Sequence, residues 1–245
     1  MRFPWSENKA AWLQSMFSSI ARRYDLTNRV ISFGLDERWR RIIAKRAASS
    51  GDTLFLDVAT GTGKVAIQLA RQLRGKGKIV GVDFTERMVA IGQEKVEVEK
   101  LQSQILFCVG DAQALPFVDE AFDGVVMVFG VRNFADPLRG LSEIKRVMKK
   151  GAKLFIVEFT WPQNCVIRPI YAIYFTKILP LIAWVLCQEK WAYRYLANSV
   201  VEFTQSNLSE MLEQVGFDDV KDTPLTLGVT SLYEATKKEK LFDIG

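Results

Sequence analysis

Asp57 to Lys64 reads DVATGTGK: a carboxylate at the end of an apolar run, followed by Gly61-Thr62-Gly63. The two glycines can turn tightly and let a ligand approach the backbone, since neither has a Cβ to clash. Asp83 ends the run Lys78 to Asp83, about 20 to 30 residues further on, near the spacing at which a carboxylate can take both hydroxyls of a ribose. Asp111 stands in Gly110-Asp111-Ala112-Gln113-Ala114-Leu115-Pro116-Phe117, after the β-like run Ile105 to Val109. There it can reach an adenine amino group while Leu115, Pro116 and Phe117 pack nearby. Singly, each acid reads as a turn residue; three in register on one sheet edge read as a nucleoside site.

These acids need a scaffold that aligns strand ends. Thr53 to Val58 reads as a buried parallel strand, and Lys64 to Leu73 has apolar residues at helical spacing. Lys78 to Asp83, Ile105 to Val109, Gly124 to Phe129 and the segment carrying Glu158 continue an α/β alternation. The layout predicted is a single domain: a helical cap over residues 1–50, a donor-binding α/β core over 51–160, a hydrophobic helical insertion or lid over 161–205, and a helix with a strand pair over 206–245. In the last part Ser206 reads as N-cap, Leu208, Met211, Leu212 and Val215 as the buried face, and Gly216 as the stop. Asp218 to Thr223 and Val229 to Thr236 read as strands joined near Gly228.

Two nucleoside ligands compete for the first turn. Gly61 to Ala66 fits the G-x-G-x-x-A fingerprint of NAD sites, and Lys64 suits a pyrophosphate. Asp57 argues the other way. At the mouth of the turn it would repel a pyrophosphate and attract the cationic amino group and sulfonium of S-adenosylmethionine. A capping or surface carboxylate is the ordinary alternative.

Further segments carry a resemblance: RRYDLTNRVISFGLDERWRR from Arg22, VGVDFTERM from Val80, FGVRNFADP from Phe129, LFIVEF from Leu154 and YRYLANSVVEF from Tyr193. With DVATGTG and GDAQALPF, they make the chain resemble the class I S-adenosylmethionine-dependent methyltransferases and, more narrowly, the UbiE/COQ5/MenG family that C-methylates the ring of prenylated quinols. The resemblance implies a Rossmann-like, seven-stranded, mostly parallel sheet with one antiparallel strand. It implies donor contacts from Thr62, Asp83, Asp111 and Ala112, with Asp57, Gly61, Gly63, Phe84 and Val128 in the same site, and S-adenosylhomocysteine as product. Its YDLTN and FGVRN elements would face the acceptor, through Tyr24, Asp25, Arg132 and Asn133. Two positions depart from the family's pattern. Lys64 stands where Asp is usual and Val128 where many members have Ser; either would weaken donor binding, and Lys64 sits unfavourably at a helix N-terminus.

Moving a methyl group to carbon needs an electron-rich carbon held in line and shielded from water. A quinol ring supplies that carbon, whereas the oxidised quinone is electron-poor. With no histidine in the chain, the candidates to manage the proton are Tyr24, Asp25, Arg132, Asn133 and Glu158. Arg132 and Asn133 are expected to orient a quinol oxygen, with Tyr24 and Asp25 closing over the ring; an arginine would stabilise a phenolate rather than act as base. For Asn28 and Tyr195 a structural role is as good a reading as a functional one.

The rest of the composition mostly excludes. Cys108, Cys165 and Cys187 lack C-x-x-C spacing, so neither structural disulfides nor a metal is expected. Residues 1–10 lack an apolar signal core, so a cytoplasmic protein is expected. Arg38, Arg40 and Arg41 read as the outside of a helix and no RNA-binding module accompanies them, so no nucleic-acid partner is expected. Cys165 to Cys187 is strongly apolar, but Arg168, Lys177, Pro169 and Pro180 interrupt it well short of the roughly 20 residues a membrane span requires. It reads either as a lid or homodimer face, or as a tunnel for a prenyl tail in contact with a membrane surface, which the net charge of +5 would assist. An NAD-linked oxidoreductase and a non-catalytic donor-binding scaffold complete the alternatives.

Overall fold

Seven strands form one sheet: β1 (Leu54–Val58), β2 (Lys78–Asp83), β3 (Ile105–Val109), β4 (Phe122–Val128), β5 (Met148–Phe159), β6 (Asp218–Leu225) and β7 (Thr230–Thr236). The structure, a computed structural model, describes residues 9–179, 190–204 and 206–238. The spatial order is β3-β2-β1-β4-β5-β7-β6. The pairs from β3 to β5 are parallel, and β7 runs antiparallel to both its neighbours. β1 and β4 are buried on both faces, which is why they read as nearly continuous apolar runs. The chain winds outward from β1 to β3 and returns to β4. That reversal opens a crevice at the carboxyl ends of β1 and β4, where such sheets bind ligands.

The helices are α1 (Lys9–Ile31), α2 (Leu35–Ala48), α3 (Lys64–Leu73), α4 (Glu86–Val98), α5 (Pro137–Val147), α6 (Ile167–Ile173), α7 (Lys190–Phe203) and α8 (Leu208–Val215), with α6 continuing as a π-helical turn over Tyr174–Ile178. One core lies on each face of the sheet. A third joins Leu13, Met16, Ile20 and Ile31 of α1 to Tyr171, Phe175, Leu179, Tyr195 and Val200. Cap and insertion, which the sequence presents as separate pieces, are therefore one roof over the crevice. Cys187 and the rest of the expected insertion at 180–189 lie outside the described residues. No helix among the described residues is long and apolar enough to cross a membrane.

Several local expectations need correction. Arg40 points inward and pairs with buried Asp36, while Arg38 and Arg41 are exposed. Gly63 is required by packing rather than by ligand approach: a Cβ there would lie 2.5 Å from the Phe107 ring, and one at Gly81 2.4 Å from it. Lys64, at the start of α3, escapes the expected penalty because Glu37 of α2 accepts its ammonium at 2.6 Å. The cap of α8 is Asn207, not Ser206: its Oδ1 accepts from the Ser209 N–H at 3.0 Å, and Gly216 closes the helix in the left-handed region. Asn207→Ala should cost about 1 kcal/mol in denaturant unfolding and Ser206→Ala close to nothing; equal losses would contradict this assignment.

Candidate active site

A cavity of about 480 Å³ occupies the crevice. Its floor is Ala59 and Gly61 of the first turn, Val128 at the end of β4, and Phe129 and Gly130 beyond it. Asp83 and Phe84 form one wall, and Asp111, Ala112 and Gln113 continue it. Leu13, Gln14, Phe17 and Tyr24 of α1 roof it. Of this roof, sequence reasoning places only Tyr24 in the site and misses Leu13, Gln14 and Phe17, although the spacing of Leu13, Phe17 and Tyr24 puts one stripe of α1 on one face.

Asp83 is buried and held by backbone N–H groups: Oδ2 accepts from Gly61 and Oδ1 from Thr85, each at 2.9 Å. Burial pushes its pKa up against those stabilising bonds. Gly61 has φ of 56° and open space where a Cβ would project, so the turn tolerates a ligand against its backbone. Asp111 is exposed, and its Oδ1 accepts from the Gln113 N–H at 2.9 Å. Asp83, Asp111 and the open glycine turn form a cradle that fits a nucleoside. Among the described residues lining the cavity there are these two acids and no lysine or arginine.

Asp57 stands elsewhere than expected. It is buried behind the turn rather than at its mouth, where Oδ2 accepts from the Thr60 hydroxyl at 2.6 Å and the Ala66 N–H at 3.1 Å, and Oδ1 has no partner among the described residues. Burial raises its pKa to about 7 despite those bonds. Thr62 and Gly63 also lie behind the cavity wall. The Thr62 hydroxyl donates to Asp25 Oδ1 at 2.8 Å, and Asp25 pairs with Lys95 of α4. Asp25 thus fastens α1 to the donor turn and lines neither cavity of the site.

The remaining candidates gather at the other end. A short 3₁₀ helix, Val131–Asn133, follows β4. Asn133 lines the main cavity and also a small one of about 40 Å³, together with Phe17, Tyr24, Asn28, Arg132 and Tyr195. Arg132 is buried and donates from Nη1 to Glu158 Oε1 and to the Phe129 carbonyl, both at 2.7 Å. Glu158, fully buried at the end of β5, lines neither cavity and acts on the site through Arg132. Burial raises the Tyr24 pKa, so its hydroxyl keeps its proton. Lys9, which sequence reasoning also missed, donates to the Arg132 and Phe134 carbonyls at 3.2 and 2.7 Å and ties the start of α1 to this turn.

Nucleoside-cradling acids at successive ends of a mostly parallel seven-stranded sheet, one strand antiparallel, define the class I methyltransferase fold. The chain belongs to the ubiE/COQ5 methyltransferase family, whose model matches residues 5–237. It is 42% identical over 230 residues to the ubiquinone/menaquinone biosynthesis C-methyltransferase UbiE of Geobacter sp. strain M21, covering 94% of this chain and 97% of that one. It is 41% identical over 219 residues to the demethylmenaquinone methyltransferase of Thermus thermophilus, covering 89% and 98%. A solved S-adenosyl-L-methionine-dependent methyltransferase described as putative, from Methanococcus maripaludis, shares the fold with a TM-score of 0.64 at 20% identity, covering 93% of this chain and 96% of that one.

The raised pKa of Asp57 makes a signed prediction. A buried acid whose folded pKa exceeds its unfolded value destabilises the fold as pH rises through that window, here from about 4 to about 7. Asp57→Asn removes the titration, so between pH 5 and 8 the wild type should lose about 2 to 3 kcal/mol relative to the variant in denaturant unfolding. Parallel curves would show that Asp57 ionises without cost.

Proposed function

We propose that this chain transfers the methyl group of S-adenosylmethionine to a ring carbon of a reduced, prenylated quinone precursor of the demethylmenaquinol or ubiquinol-precursor type. The observation that carries the donor half is the main cavity's lining: two carboxylates without a base favour a cationic nucleoside over a dinucleotide pyrophosphate. The named relatives and the family carry the acceptor half.

The bound donor supplies an electrophilic methyl on a sulfonium; everything else falls to the chain. Asp83 takes the ribose hydroxyls with lone pairs that its backbone donors leave over. Asp111 and Ala112 hold the adenine edge, and Gly61, Phe84 and Val128 close around the rest. Phe17 and Tyr24 cover the ring and exclude water. Arg132 and Asn133 meet a ring oxygen and hold the attacking carbon in line. None of these steps calls on a metal ion.

In this reading the protein is cytoplasmic and in peripheral contact with a membrane. Val166, Ile170, Ile173 and Ile178 are exposed around α6, beside Arg168 and Lys177. Phe33, 74% exposed, packs beside Tyr174 of the same face. No acid occurs between Glu158 and Glu189. An apolar, cationic face beside the cavity roof suits anionic lipid, from which a prenylated ring would enter, better than a homodimer contact.

Labelled S-adenosylmethionine should methylate reduced demethylmenaquinol or the reduced benzoquinol precursor in detergent, and not the oxidised forms. Asp83→Ala should raise the donor KM by about tenfold to a hundredfold through lost charge-assisted hydrogen bonds. Donor binding without transfer to either ring would sink the enzyme reading in favour of a scaffold. Sedimentation with vesicles tests the face: retention on phosphatidylglycerol that falls with salt is expected, and equal recovery from the supernatant with or without vesicles would refute it.

A further inference from the structure

Tyr195 reaches from α7 to the 3₁₀ helix, where its hydroxyl donates to Asn133 Oδ1 at 3.0 Å; Asn133 Nδ2 donates onward to the Phe129 carbonyl at 3.1 Å. The far end fixes the direction of this relay. A backbone carbonyl only accepts, so Asn133 must turn Nδ2 towards Phe129 and Oδ1 towards Tyr195. Oδ1 also only accepts, so the Tyr195 hydrogen is committed to it. The Ser199 hydroxyl also hydrogen-bonds to Tyr195, and towards it, as towards any further group, the Tyr195 oxygen acts as an acceptor.

Both residues line the small cavity of about 40 Å³, which shares Phe17, Tyr24 and Asn133 with the main one. That volume admits a hydroxyl or a water and is far too small for a ring. We propose that it receives one oxygen of the acceptor ring, and that Tyr195 reads the oxidation state of that oxygen by accepting a hydrogen bond that a reduced ring's O–H can donate and an oxidised ring's carbonyl cannot. This rests on the quinol reading above and goes beyond it, by assigning discrimination between quinol and quinone to a binding contact in addition to ring reactivity.

The other groups of the small cavity are consistent with this. Arg132 lines it, and its Nε is buried without a partner among the described residues. A donor there can meet either oxidation state. A quinol hydroxyl can satisfy both walls, accepting from Arg132 while donating to Tyr195; a quinone oxygen satisfies Arg132 alone and sets lone pairs against the Tyr195 oxygen. Burial pushes the Tyr195 pKa up to about 12, so near neutral pH it keeps the hydrogen that holds Asn133. As the ring carbon attacks, the hydroxyl proton grows more acidic, and its bond to Tyr195 strengthens in the transition state.

The test uses two redox-inert probes on protein saturated with S-adenosylhomocysteine: 1-naphthol, with a ring O–H, and 1-tetralone, with C=O at the same position. Wild type should bind 1-naphthol about tenfold tighter, the worth of one hydrogen bond. Tyr195→Phe should bring the ratio to within about twofold by weakening 1-naphthol alone. Asn133→Leu releases the Tyr195 hydrogen and should lower the ratio from the other side, by strengthening 1-tetralone; it decides the matter if Tyr195→Phe is unstable. A wild-type ratio near one, or a ratio untouched in the variants, overturns the proposal. If neither probe binds while the reduced ring is still methylated, the proposal falls and the quinol reading stands. If the ratios behave as expected but neither reduced ring is methylated, the quinol reading falls, and Tyr195 remains a reader of O–H against C=O.

Discussion

The end of the crevice proposed for the acceptor depends on the ion pair between Arg132 and Glu158. Taking both charges out of water costs several kcal/mol per ion, recovered only where geometry is good and the remaining donors and acceptors are engaged. Here Arg132 Nη1 also holds the Phe129 carbonyl and Glu158 Oε1 also accepts from the Phe159 N–H at 3.0 Å, while Arg132 Nε and Glu158 Oε2 are buried without a partner among the described residues, so the recovery is partial. The guanidinium lies 5.7 and 5.1 Å from the Phe129 and Phe159 ring centroids, and those rings stack 4.3 Å apart. One pair thus clamps the end of β4 to the end of β5. The clamp also sustains strain: Phe129 has φ of 60°, a conformation that costs a non-glycine residue on the order of 1 to 3 kcal/mol. Two side-chain donors on its carbonyl, from Arg132 and Asn133, hold it there. The chain therefore leaves β4 as a 3₁₀ helix with Asn133 facing both cavities.

The end proposed for the donor is organised on the opposite electrostatic principle. Asp83, the buried acid of the cavity wall, is held by backbone N–H groups instead of by protein cations. A carboxylate satisfied by neutral donors keeps its net charge for a ligand, whereas one paired to lysine would present a neutral wall. Charge pairing is used freely just outside, where Lys64 meets Glu37 and Lys95 meets Asp25. The cations that could have neutralised the cavity are spent fastening α1 and α2 to the donor turn.

What the sequence revealed follows from the range of the interactions involved. β1, β2, β3, α3 and the acids at the strand ends were legible because apolar periodicity and turn chemistry act over a few residues. The direction of a side chain was less so. Asp57 sits at the predicted strand end, yet nothing local says that Thr60 and Ala66 fold it inward. Arg40 belongs to a run that reads as a solvated face, and only the burial of Asp36 reverses it. Asp25, Thr62 and Lys95 span 70 residues, and Lys9 reaches turn carbonyls more than 120 residues away. Such contacts exist only once the roof is in place.

That roof decides how the chemistry can run. Glu158 is engaged by Arg132, Asp25 is turned towards Lys95, and burial keeps the hydroxyls of Tyr24 and Tyr195 protonated. With no histidine in the chain, the acceptor wall offers hydrogen bonds and one buried cation rather than a poised base. A site so equipped suits an acceptor that is already nucleophilic, which a ring bearing two electron-donating hydroxyls is. Its contribution is then to hold carbon and methyl in line and keep water out, and misplacement by about 1 Å can cost a hundredfold in rate. The apolar packing of α1 against α6 and α7 sets that placement, so rate should respond to cap residues that never touch the ring as sharply as to those that do.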